Sequence, residues 1–79
     1  MQLPPPSFSS FIVSLATSAM SALGEGPEGG ETDLAVARHS IDLLGMLADK
    51  TKGNLDDEEQ KLLETLLFET RTRFNAKTS

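Results

Sequence analysis

Residues 24–29 read Gly-Glu-Gly-Pro-Glu-Gly and satisfy the letters G-x-G-x-x-G of a dinucleotide-binding loop. Such a loop needs a strand before it and free backbone N–H groups to meet a pyrophosphate. Here a helical pattern precedes the glycines, Pro27 removes a donor, and Glu25 and Glu28 would repel phosphate, so the stretch reads as a connector. His39 and Asp42 stand three apart on a helical run, within reach of one another. One nitrogen and one oxygen make half a metal site unless a symmetric partner supplies the rest, and the pair reads as surface polar residues. Asp56, Asp57, Glu58 and Glu59 form an acidic run that lacks the alternating oxygen ligands and turn glycine of a calcium loop. They read as a helix start. The serines between Ser7 and Ser21 have no base beside them and sit on no strand-to-helix elbow. No nucleophile, acid, base and pocket can be assembled from these residue types, so the expectation is a non-enzymatic protein with no catalytic residue, metal ligand or cofactor.

The elements that would position any of these residues must come from a short chain. With 79 residues there is room for one domain, and below roughly 80 residues one core rarely supplies more than about 3–5 kcal/mol. Such chains are usually stapled. There is no cysteine and a single histidine, which removes disulfides and nitrogen- or thiolate-rich zinc sites and leaves oligomerisation as the staple. Trp and Tyr are absent as well, and with them the rings that commonly anchor ligands. A net charge of −5 opposes approach to a phosphate backbone, so nucleic-acid binding, by the basic residues Arg71, Arg73 and Lys77, is a minor expectation. Residues 11–22 resemble a secretory signal core, but no Lys or Arg precedes Arg38, and a signal normally opens with positive charge. As a membrane span, residues 8–23 fall short of the roughly 20 apolar residues required and carry six Ser or Thr. A cytoplasmic protein is expected.

Periodicity predicts an all-α, three-helix unit, with helices over about residues 8–23, 34–52 and 56–74. Residues 1–7 are a Pro-rich lead, residues 24–33 a Gly-rich connector, and residues 75–79 a fraying tail. Ser7, Asp33 and Asp56 are the expected N-caps, the last with Glu59 in a capping box. Phe8, Phe11, Ile12, Leu15, Ala19, Ala22 and Leu23 share one face of the first helix. The opposite face holds Ser10, Ser14, Thr17, Ser18 and Ser21 without a single charge, with Val13 and Met20 at its edge. The second helix carries a stripe of Leu34, Ala37, Ile41, Leu44 and Ala48 and another of Val36, Leu43 and Leu47, a width suited to two contacts. It is expected to pack between the other two. Leu62, Leu63, Leu66, Leu67 and Phe74 form the core face of the third helix, whereas Phe68 projects among Lys61, Glu64, Arg71 and Thr72.

Two features ask for a partner. Phe68 lies where a monomer would be wet, and Gly45 costs its helix about 1 kcal/mol relative to Ala unless another helix crosses there. The expected crossing is with the small-residue face of the first helix, within the chain or from a partner copy. Val13, Met20, Leu43, Gly45, Leu47 and Phe68 are therefore the predicted interface of a homodimer or tetramer, and the expected function is an oligomeric adaptor or accessory subunit that meets a further protein. A peripheral membrane protein using the uncharged first helix is the alternative.

Residues 7–25 (SFSSFIVSLATSAMSALGE), 37–55 (ARHSIDLLGMLADKTKGNL) and 56–74 (DDEEQKLLETLLFETRTRF) together resemble the three blocks of the bacterial domain-of-unknown-function family numbered 1844. Leu3, Pro4, Phe8, Ser9 and Phe11 match that family's L-P-x-x-x-F-S-x-F lead, and Ile41 to Leu55 its I-D-L-L-G-M-L-x-x-K-T-K-G-N-L core. The resemblance implies a small bacterial protein and brings no catalytic residues with it.

Overall fold

The computed structural model describes residues 7–24 and 32–78 and is built of three helices, α1 (Phe8–Ala22), α2 (Leu34–Lys50) and α3 (Asp57–Thr78). Local chemistry sets their ends. Ser7 Oγ accepts the Ser10 N–H at 3.0 Å, and Asp33 Oδ1 accepts that of Val36 at 3.1 Å, each satisfying a donor that the first turn leaves over. At the start of α3 the box is reciprocal: Glu59 N–H donates to Asp56 Oδ1 at 2.8 Å and Asp56 N–H to Glu59 Oε1 at 3.0 Å. The acids Asp57, Glu58 and Glu59 stand in its first turn, at the positive end of the helix dipole.

The first helix stops where Gly24 takes a φ of +80°, a left-handed conformation that glycine adopts without strain. The chain re-enters beside that point. Asp33 N–H donates to Ala22 O at 2.6 Å, so the start of α2 is tied to the end of α1. The connector residues 25–31, which include most of the G-x-G-x-x-G letters, and the lead residues 1–6 lie outside the described residues.

Two boundaries differ from expectation. Helix α2 ends at Lys50, short of Lys52, because Thr51 caps it: its N–H and its Oγ1 both donate to Leu47 O, at 2.9 and 2.6 Å. Helix α3 continues past Phe74 to Thr78 where fraying was expected. Lys77 suits the negative end of the dipole, and Thr78 Oγ1 donates to the carbonyls of Phe74 and Asn75 at 3.2 and 3.3 Å, so the final turn is held by polar groups alone.

Every helix touches both of the others, so α2 is one corner of a triangle and not a central layer. At the centre Ile12, Ala16, Leu44, Leu63 and Leu67 are buried together, ringed by Phe8, Leu15, Leu47, Ala48, Leu55, Leu62 and Leu66. The buried side of α1 is rotated from the expected one: Ala16 is interior and Phe11 is 52% exposed. Small side chains at Ala16 and Ala19 let that helix lie close to its neighbours, and close approach turns the bulky Phe11 to the margin. Ser40 and Thr70 are buried too. Thr70 Oγ1 is satisfied within α3, donating to Leu66 O at 2.8 Å and to Leu67 O at 3.3 Å.

Candidate interaction surface

The orientation of α3 is fixed by what it buries. Leu63, Leu67 and Thr70 face inward, and Phe68, about 140° round the helix from their mean direction, faces out. It is 73% exposed, the most exposed of the large apolar side chains among the described residues. Around it on the same outer side are Lys61, Glu64, Thr65, Arg71 and Thr72, all exposed. Glu64 Oε1 accepts a hydrogen bond from Gln60 Nε2 at 2.9 Å, which holds the carboxylate along the helix.

Gly45 is not a crossing point with α1 within the chain. A Cβ placed on it would stand 3.2 Å from Nη2 of Arg71, a side chain of α3. The two flanks of α2 explain the difference. Val36 shares a notch with Ser18 and Ala22 of α1, whereas Arg38, Ile41 and Asp42 share a groove of about 380 Å³ with Arg71, Phe74 and Asn75 of α3. Gly45 lies one turn after Ile41 and thus belongs to the α3 flank. What crosses there is a guanidinium, not a helix backbone. Arg71 makes no ion pair among the described residues; the ion pair nearby is that of Arg38 with Asp42, exposed and long at 3.9 Å. Asp42 therefore faces Arg38, four residues back, and His39 is exposed without it. Among the described residues no group of three or more His, Cys, Asp or Glu side chains is placed to hold a metal ion.

The other residues expected at an interface fall into two sets. Val13 is 44% exposed, and Met20, seven residues on, is half-buried on the same edge of α1. Leu43 is half-buried on α2, and Leu47 packs against the chain's own core cluster, which gives it a role within the fold. The six do not converge on one patch: Gly45 lies beneath Arg71, Leu47 against the core, and Phe68 points away from both helices that α3 touches.

Sequence reading missed Met46, exposed by 44%, and placed Leu34 and Phe11 too far inside. The signal for Met46 is its position three residues after Leu43, which carries the second apolar stripe of α2 outward. Phe11 and Val13 flank the buried stripe of α1 on opposite sides, with the uncharged Ser and Thr face between them. No helix among the described residues is long and apolar enough to cross a membrane.

No curated protein and no solved structure matches the chain. One family model does, over residues 5–76, which covers all three helices except the last two residues of α3. This chain belongs to the family described as a domain of unknown function, DUF1844.

Proposed function

We propose that this chain is a non-enzymatic helical interaction module that works as a self-associated unit, a homodimer in its simplest form, and serves as an oligomeric adaptor or accessory subunit. The observation that carries this reading is Phe68, exposed by 73% on the middle of the longest helix, on the side facing away from α1 and α2. A large ring in that position adds nothing to the fold of one chain, whereas aromatic side chains are favoured anchors at interfaces. The small core supports it further: among the described residues Ala16, Ala19 and Ala37 are three of nine buried apolar residues, while six larger apolar side chains stand exposed. A second copy of the chain is the occupant this reading names, because a patch related by a two-fold axis closes on itself and limits assembly.

Self-association is tested by light scattering on a dilution series up to about 500 μM, where a twofold rise in mass is expected with increasing concentration. A constant monomer mass across that range would overturn the reading. The membrane-surface alternative has less support, since Phe11 and Val13 stand on opposite flanks of α1 and its outward face is Ser and Thr without Lys or Arg. Nucleic-acid binding has less still, given the net charge of −5 and an Arg71 already laid over Gly45.

A further inference from the structure

We propose that the second copy docks its α3 antiparallel to the α3 of the first, about a two-fold axis passing at Phe68, with Glu64 of each copy facing Arg71 of the other. This deepens the reading of the chain as a self-associating module and rests on it. Three features of α3 point to this one arrangement.

Position is the first. Helix α3 runs from Asp57 to Thr78, so its midpoint falls between Leu67 and Phe68. An antiparallel pair centred on Phe68 therefore overlaps along the whole helix, about 33 Å, and leaves no end of either helix unpaired.

Charge is the second. Within about 60° of Phe68 around the helix, the first half of α3 holds Asp57 and Glu64 with Lys61, and the second half holds Arg71 and no acid. Parallel pairing would set Glu64 level with Glu64 and Arg71 level with Arg71; antiparallel pairing sets acid level with base.

Register is the third. A two-fold axis perpendicular to the helices keeps each edge of one copy on the same edge of the other. Glu64, four residues before Phe68, and Arg71, three after it, lie on the same edge of the outer face, toward α2, so they meet across the axis, twice per dimer. Thr65 and Thr72 meet in the same way on the other edge. Arg71 is already held at that edge, because Gly45 leaves its guanidinium room to lie against α2. In the pair it sits between Gly45 of its own chain and Glu64 of the second copy. The contact is one helix wide, smaller than a standard interface, and belongs with weak, reversible association.

Glu64→Arg and Arg71→Glu, each alone and then mixed in equal amounts, test the arrangement by sedimentation equilibrium. Both side chains are exposed, so neither change enters the core. Alone, each variant sets like charges opposite one another twice and is expected to associate about tenfold more weakly than wild type. In the mixture every heterodimer regains two opposite-charge contacts and association returns to the wild-type level. A mixture no tighter than its components, or a single variant as tight as wild type, overturns the antiparallel pairing while self-association stands. A wild type that remains monomeric overturns the pairing and the proposed function together.

A measurement that leaves these charges untouched provides the second arm. Spin labels on Thr72→Cys and, separately, Thr78→Cys are expected to show axial separations of about 12 Å and about 30 Å in the dimer. Equal separations at the two sites mean a parallel pair and overturn the proposal.

Discussion

The Arg71 guanidinium covers Gly45: a Cβ at that glycine would stand 3.2 Å from Nη2, and no backbone of a neighbouring helix comes within 4 Å of it among the described residues. A glycine inside a helix is thereby accounted for by a side chain of α3 and not by a close helix crossing. The distinction matters for what a substitution does, since the far end of an arginine yields at little cost while a backbone does not.

Gly45→Ala is accordingly expected to stabilise the fold. Helix propensity favours Ala by about 1 kcal/mol, and shifting the guanidinium by a few tenths of an ångström offsets only part of that. In a Phe68→Glu background, which separates folding from association, the melting temperature followed by circular dichroism should rise, by less than the about 4–8 °C that a full 1 kcal/mol would give. A fall would mean that Arg71 is held by more than its own flexible chain.

The capping box at the start of α3 should be worth measuring by its parts. Asp56→Ala removes the acceptor for Glu59 N–H and is expected to cost about 1 kcal/mol, within a range of roughly 0.5–2. Glu59→Ala in the same background should cost less than it does alone, because the two hydrogen bonds share one geometry. Full additivity in urea denaturation would contradict the reciprocal box.

These helix ends are also the most legible part of the sequence. A cap is a local device: Ser7, Asp33 and the Asp56/Glu59 pair carry both donor and acceptor within three residues, so spacing alone identifies them. The left-handed glycine after α1 is legible for the same reason. What periodicity could not supply is the rotation of each helix about its own axis. Ala16 and Phe11 exchange interior and margin because α1 sits close to two neighbours, a tertiary fact that no window of α1 contains. The within-chain crossing expected at Gly45 failed in the same way: its oddity is visible locally, but its neighbour is Arg71, twenty-six residues along the chain. The exposure of Phe68 was legible because an aromatic ring among charged residues departs from the period of its own helix.

Leu63→Ala tests how much the core can lose. Leu63 is fully buried in the central cluster, and its truncation typically costs about 2–5 kcal/mol. A domain of this size has about 3–5 kcal/mol in total, so the variant should be partly unfolded at 25 °C when dilute. Because association draws the folded form, raising protein concentration should restore helicity. Helicity independent of concentration would argue that folding and association are uncoupled.

Salt should separate the charged part of the contact from the apolar part. Raising ionic strength from about 0.05 to about 0.5 M is expected to weaken self-association several-fold by screening, while leaving the thermal stability of the Phe68→Glu variant nearly unchanged. Association that tightens with salt would point to an interface without the charge pairing of α3.

The most direct measurement is sedimentation equilibrium on wild type and on Phe68→Glu, paired with a thermal melt of each at low concentration. The account predicts a reversible dimer for wild type, a monomer for Phe68→Glu across the same concentrations, and equal folding stability of the two monomers, since the ring is 73% exposed and lies on the side of α3 away from its buried face. A variant that dimerises as wild type does, or one that loses its fold along with its association, would contradict it.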